Sequence, residues 1–200
     1  MDLDIHPLTP ERLPDLGSLF GQGGDPKWCW CAFYRIRQID FASASAESNR
    51  EVLERAVETT ATEDRAPGLI AYRDGEPVGW VSVGPRDDYD RLQHSRILAP
   101  VDDRPVWSIV CFVVARRARK QGMANALLDA AVAYAREHGA TLVEGYPVDT
   151  AAGRVSAASA YKGTLGMFER AGFEVAARRQ ANRASPLRPI VRRTVRPPRR

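Results

Sequence analysis

The run Val106 to Ala115 constrains the fold of this chain more than any other stretch. It reads VWSIVCFVVA, apolar apart from Ser108 and rich in β-branched residues. A short run of that kind is a strand covered on both faces, and at ten residues it is far below the ~20 that a membrane-crossing helix needs. The basic stretch RRARKQGMA follows at once. A helical pattern then runs from Ala124 to His138, with Leu127, Leu128, Ala131, Tyr134 and Ala135 in one stripe and Gly139 as the stop. A buried strand feeding an amphipathic helix is a building unit of an α/β sheet.

The rest of the chain supplies the neighbours. Leu3 to Leu8 reads as a first strand, and Thr9-Pro10-Glu11 as a helix start that Gly21 to Asp25 terminates. A second helix is expected from Ser45 to Thr60, with Val52, Leu53, Ala56 and Val57 on its inner face. Strands at Leu69–Arg73 and Pro77–Val83 flank Asp74-Gly75, whose tolerance of positive φ makes a tight hairpin. Thr141 to Val148 reads as a strand, Gly163 to Ala171 as a short helix, and Phe173 to Arg178 as another strand. Ile190 to Val195 is expected to close the sheet. A hairpin followed by strand–helix–strand predicts one mixed α/β domain over residues 1–196. Its sheet is mostly antiparallel, of six or seven strands, with helices on both faces, and an arginine/proline-rich tail follows at 197–200.

With 44% hydrophobic and 27% charged residues, a chain of 200 can bury one core without staples. The start, MDLDIHPLTP, has no apolar leader segment, and three cysteines make no disulfide framework, so a cytoplasmic protein without membrane contact is expected. The net charge of +4 is uneven. Nine arginines and no acids lie between Arg178 and Arg200, so residues 1–177 hold 20 basic against 25 acidic residues and carry about −5. Such an end could serve a nucleic-acid binder. It is also the composition of a solvated terminal strand, the reading taken here, and nucleic acid is not expected as a partner.

The chemistry points to Arg119-Lys120-Gln121-Gly122-Met123-Ala124, between the apolar strand and the helix. A helix start offers free N–H groups and a partial positive charge to a phosphate, and glycine lets the backbone come close. Arg116, Arg117, Arg119 and Lys120 crowd the same corner. A pyrophosphate-bearing ligand fits, although neither a P-loop nor GxGxxG is present.

Phe112-Val113-Val114 with RRARKQGMA resembles the acyl-CoA-binding motif of the GNAT family of N-acetyltransferases, whose signature Arg/Gln-x-x-Gly-x-Gly/Ala is matched from Arg119 to Ala124. Met167-Phe168-Glu169-Arg170-Ala171-Gly172-Phe173 resembles the end of that family's last helix and its Gly-Phe strand start. The order of elements agrees from about Leu3 to Val195. The resemblance implies acetyl-CoA as co-substrate, its pyrophosphate held by backbone N–H groups from Gln121 to Ala124. It also implies that the pantetheine arm pairs with the strand at Phe112, Val113 and Val114, and that an N–H around Val113 polarises the thioester. A primary amine of a small molecule or peptide would then attack directly in a ternary complex.

Two positions depart from the family pattern, which often has Asn near the start of the last helix and a Tyr acid near its end. Tyr161 and Phe168 stand there, so Tyr161 becomes the candidate acid, and a non-catalytic acyl-CoA-binding regulatory module remains an alternative. Glu144, mid-strand beside the expected thioester, is the candidate base or an exposed structural carboxylate. Trp28, Trp30 and Tyr34, together with Phe33 and Arg35, occupy the acceptor region of the family, and Trp80 and Arg86 lie on and after the hairpin's second strand. These side chains either shape an amine pocket or plug the core. Cys29-x-Cys31 lacks two ligands for a closed zinc site, so no metal is expected, and Cys111 reads as a small buried hydrophobe. A homodimer is compatible with the sequence, which fixes no oligomeric state.

Overall fold

The computed structural model of the chain describes residues 3–151, 161–183 and 185–196. Its strands are β1 Leu3–Pro7, β2 Gly68–Arg73, β3 Glu76–Pro85, β4 Trp107–Val114, β5 Leu142–Gly145, β6 Glu174–Arg179 and β7 Arg188–Thr194. They form one seven-stranded sheet in the order β1-β2-β3-β4-β5-β7-β6. Every neighbouring pair is antiparallel except β4 with β5. The helices are α1 Leu13–Gly21, α2 Pro26–Cys29, α3 Gln38–Ala42, α4 Ala46–Ala61, α5 Asp90–Gln93, α6 Met123–Glu137 and α7 Leu165–Arg170. The mixed α/β class and strand number agree with the sequence reading, and the segment 197–200 lies outside the described residues.

Local chemistry explains the element ends. Asp74 and Gly75 both take positive φ, 51° and 79°, and turn β2 back into β3. Ser45 and Ser48 satisfy one another's backbone N–H at 3.1 and 2.9 Å, a reciprocal box that starts α4. Gly139, φ 86°, follows α6.

Alternation along β3 puts a core on each face. A side chain at Gly79 would stand 3.0 Å from Leu127, so α6 lies directly on the sheet there. Trp80 points the other way, onto Phe20 of α1. A smaller cluster of Tyr34, Tyr89, Leu92, Val110, Tyr146 and Ile190 extends the second face.

Several boundaries differ from expectation. Thr9 makes no side-chain cap; Pro10–Arg12 is a 3-10 turn, and α1 begins only at Leu13. The strand expected to reach Val148 stops at Gly145 because its neighbour leaves it. β4 and β5 pair only at Trp107–Val143, Ser108–Glu144 and Ile109–Gly145, and then diverge. Phe168 of α7 is fully buried beside this divergence. Its ring lies 6.1 Å from that of Phe112 and would overlap any side chain at Gly145. The last strand does not close an edge: β7 is inserted between β5 and β6. The arginines of this end have intramolecular work as well. Arg178 pairs with Asp149 at 2.8 Å, Arg192 with Asp102 at 2.8 Å, and Arg193 holds the Ala171 carbonyl. No described helix is long and apolar enough to cross a membrane.

Candidate active site

The loop before α6 turns a row of backbone N–H groups outward. Lys120 and Gly122 both have positive φ, 60° and 78°, which turns successive N–H groups toward one side. The Gly122 carbonyl already accepts from Asn125 and Ala126, at 3.0 and 3.1 Å. The N–H groups of Gln121, Gly122, Met123 and Ala124 find no acceptor among the described residues. A hollow of about 250 Å³ opens over them, bordered by Val114, Arg119, Lys120 and Asn125. Four unspent donors, the helix dipole and two exposed cations fit a pyrophosphate.

The hollow leads to the free edge of β4. Phe112 N–H points away from β3 and donates to the Tyr161 carbonyl at 2.6 Å, while Ala115 N–H donates back to Val78 of β3. Because strand groups alternate, Val113 turns its N–H to β3, not into the cleft. This corrects the expected oxyanion donor. Phe112 and Val114 offer the open edge, and the Val114 carbonyl takes the Arg119 guanidinium at 3.0 Å.

On the face opposite α6, a cavity of about 490 Å³ adjoins this edge, and Trp28, Tyr34, Phe41, Tyr161, Lys162 and Asp25 are among its walls. Ser82 pairs with Cys111 and Val83 with Ile109, leaving Val110 as an extra residue, and this bulge presents both Val110 and Cys111 to the cavity. The opposite wall depends on Trp30 and Cys31, two non-glycine residues in the left-handed region at φ 45° and 55°. Cys31 is held by the Trp80 indole N–H at 3.0 Å and lies 3.1 Å from the Cys111 sulfur. Burial pushes the Cys29 thiol up to about 12, with Cys31 adding to the effect, so it stays protonated. Among the described residues, no three His, Cys, Asp or Glu side chains converge on a metal position.

The structure brings Trp28, Tyr34 and Tyr161 together but not the other two tryptophans. Trp80 is fully buried, edge-on to Phe20, and is core. Trp30 packs on Phe20 beneath the Arg50 guanidinium and borders neither Trp28's cavity nor the hollow at α6. Tyr161 lies outside α7, since Gly163 at φ 74° breaks the chain and Thr164 caps the helix. Its hydroxyl stands beside Gly24, and burial raises its pKa, which keeps the proton on.

Glu144 is not an exposed carboxylate and does not face the cleft. It is completely buried, ion-paired to Arg86 at 3.2 Å and Arg192 at 2.6 Å, and it accepts the Tyr146 hydroxyl at 2.6 Å. Both of its oxygens are engaged by guanidinium groups, and it does not border the cavity. Arg86 completes the same network through Tyr146 and the Leu92 and Leu98 carbonyls. Sequence reasoning missed Asp25, Phe41 and Lys162, which reach the cavity from separate segments and share no spacing that a motif could reveal.

Residues 30–173 match the model of the acetyltransferase (GNAT) family. The chain belongs to the GNAT family. No curated protein matches the sequence. The GNAT fold is seen again in solved structures that the chain matches nearly end to end. A protein from Corynebacterium glutamicum, described as histone acetyltransferase HPA2 and related acetyltransferase, is 19% identical with TM-score 0.58, covering 100% of this chain and 99% of that one. The PaiA N-acetyltransferase of Thermoplasma acidophilum in complex with coenzyme A is 14% identical with TM-score 0.55, covering 98% and 100%. The Drosophila melanogaster polyamine N-acetyltransferase is 12% identical with TM-score 0.58, covering 97% and 100%.

Proposed function

We propose that this GNAT protein moves an acetyl group from acetyl-CoA to a primary amine by direct attack in a ternary complex. The observation that carries the reading is the continuity of three features: unspent N–H groups at the start of α6, a strand edge facing away from β3, and an aromatic cavity at that edge. The same loop geometry fits the pyrophosphate of the coenzyme A that the Thermoplasma protein binds. Amine acceptors are in keeping with the polyamine enzyme of Drosophila.

In this reading the N–H groups from Gln121 to Ala124, with Arg119 and Lys120, hold the pyrophosphate, and the Phe112–Val114 edge holds the pantetheine arm. The Phe112 N–H, released from the Tyr161 carbonyl, becomes the donor to the thioester oxygen. The amine enters past Trp28 and Tyr34. Asp25, the one carboxylate bordering the cavity among the described residues, takes its proton directly or through water, in the role that Glu144 cannot fill. As the C–S bond breaks, the protonated Tyr161 hydroxyl would donate its proton to the departing CoA thiolate. The buried Phe168, which has no hydroxyl, favours one second reading, a non-catalytic acyl-CoA-binding module.

Release of CoA thiol across a panel of amines, with calorimetry of CoA binding in parallel, separates these. The enzyme reading expects turnover, and a Tyr161→Phe variant with kcat at least about tenfold lower and nearly unchanged acetyl-CoA affinity, within the ~10²–10⁴ that acid–base help supplies. Tight CoA binding without turnover on any amine would leave the module. A folded protein that binds no CoA would overturn both.

A further inference from the structure

We propose that the acceptor is an amine that also carries an anionic group, a carboxylate or a phosphate, and that a second, basic cavity beside the aromatic one receives that group. The proposal rests on the acetyltransferase reading and deepens it by naming the acceptor class. The second cavity, about 890 Å³, shares Phe33, Tyr34 and Lys162 with the aromatic one. Its walls carry Arg91, Arg96, Arg179, Arg188 and Lys162, and no Asp or Glu among the described residues. A ligand spanning both hollows would place one end among aromatic rings near β4 and the other among cations.

The state of these cations is what points to a ligand. The buried Arg86 and Arg192 meet a carboxylate at Glu144, whereas the buried Arg35 rests on the Pro67 carbonyl and the Ser82 hydroxyl. None of the five cations in this cavity forms an ion pair among the described residues. Arg179 is held by the Ala99 and Pro100 carbonyls. The Arg188 side chain has no hydrogen-bond partner among the described residues. Arg91 is only 9% exposed. It lies 3.9 Å over the Phe33 ring, and donates to the Phe33 carbonyl and the Gln38 side chain. Its remaining nitrogen, Nη2, is buried with no acceptor among the described residues. A buried guanidinium with a spare donor is costly, and an anion seated against it satisfies both charge and hydrogen bond. Lys162, half-buried between the two cavities, feels the same uncompensated field. Burial, Arg188 and Arg91 together lower it to about 8. The field that welcomes an anion repels a second cationic centre, so di- and polyamines are poor acceptors here.

Amine pairs differing by one anionic group test this: tyrosine against tyramine and arginine against agmatine for a carboxylate, phosphoethanolamine against ethanolamine for a phosphate. The expected result is that kcat/KM favours the anionic member at least about tenfold in one of the two classes, as one charged hydrogen bond supplies. Arg188→Gln should erase most of that preference and Arg188→Glu reverse it. Equal kcat/KM within every pair, or preference untouched by both Arg188 variants, would overturn the proposal. Binding of N-acetyltyrosine against N-acetyltyramine, read by calorimetry, needs no turnover. Preference for the former that is lost in Arg188→Gln supports the basic cavity even if the acetyl transfer reading fails. Equal binding of the two, with transfer intact, sinks the acceptor class alone.

Discussion

Glu144 and Lys162 show how one residue's surroundings decide what it can do. Glu144 sits fully buried between two guanidinium groups, and removing its charge leaves Arg86 and Arg192 facing an amide. Breaking a buried pair of this kind costs about 3–5 kcal/mol. Glu144→Gln should therefore lower the melting temperature by on the order of 10 °C in calorimetry. A variant that melts like the native protein but no longer turns over would instead restore Glu144 as the base. For Lys162 the sign runs the other way. Its ammonium is disfavoured in the folded chain, faced by Arg91 of α5, Arg188 of β7 and the Cys111 thiol of β4. Below about 8 both folded and unfolded forms are charged. Between there and the ordinary lysine value the unfolded chain binds the extra proton, so stability rises with pH across that window. Anion binding has the opposite trend: it needs the ammonium. Affinity for N-acetyltyrosine should fall about tenfold as pH rises through 8, the loss of one charged hydrogen bond. Lys162→Met should flatten that titration, and a native profile in the variant would assign the effect elsewhere.

At the scale of elements, the start of α6 is where sequence and geometry agree most closely. The hexapeptide Arg119 to Ala124 could be read because its demands are local: a glycine at positive φ, unspent N–H groups and a helix behind them. A side chain at Gly122 would meet nothing within 4 Å, so the fold has room for one, at a conformational cost of about 1–2 kcal/mol. Gly122→Glu should consequently remain folded and lose CoA affinity at least about a hundredfold, since a carboxylate would lie where a phosphate belongs. Undiminished binding in isothermal titration would remove the anion site from this loop. The wall of the aromatic cavity was far less legible. Trp28, Trp30 and Trp80 looked alike as aromatic residues near a site, yet only Trp28 reaches the cavity. The left-handed pair Trp30–Cys31 swings the second indole back toward α1, and strand alternation buries the third. Neither turn nor facing is written in composition. The same holds for Glu144, where mid-strand position suggested access and the approach of β7, from 48 residues away, removed it.

For the whole molecule, the mixed sheet was legible from periodicity, and its order was not. Hydrophobic runs mark strands without stating which lie side by side, so the inner position of β7 could not be read from the segment Ile190 to Val195. That position makes the sheet depend on its final strand: β5 pairs with β7, and among the described residues β6 pairs with β7 alone. A chain ending at Leu187 should show no cooperative thermal transition, whereas a sharp one would mean that the first four strands and α6 stand alone. It follows that this protein finishes its sheet late. Until Arg188 to Thr194 docks, β5 offers a bare hydrogen-bonding edge, Glu144 lacks one of its two counter-charges and β6 has no partner. Contacts between residues so distant in sequence form slowly, because loop closure must come first. The intermediate that waits for them exposes strand edges of the kind that stick to other chains. Refolding yield should therefore fall with protein concentration, and the arginine-dense final strand acts as the latch on which that race is decided.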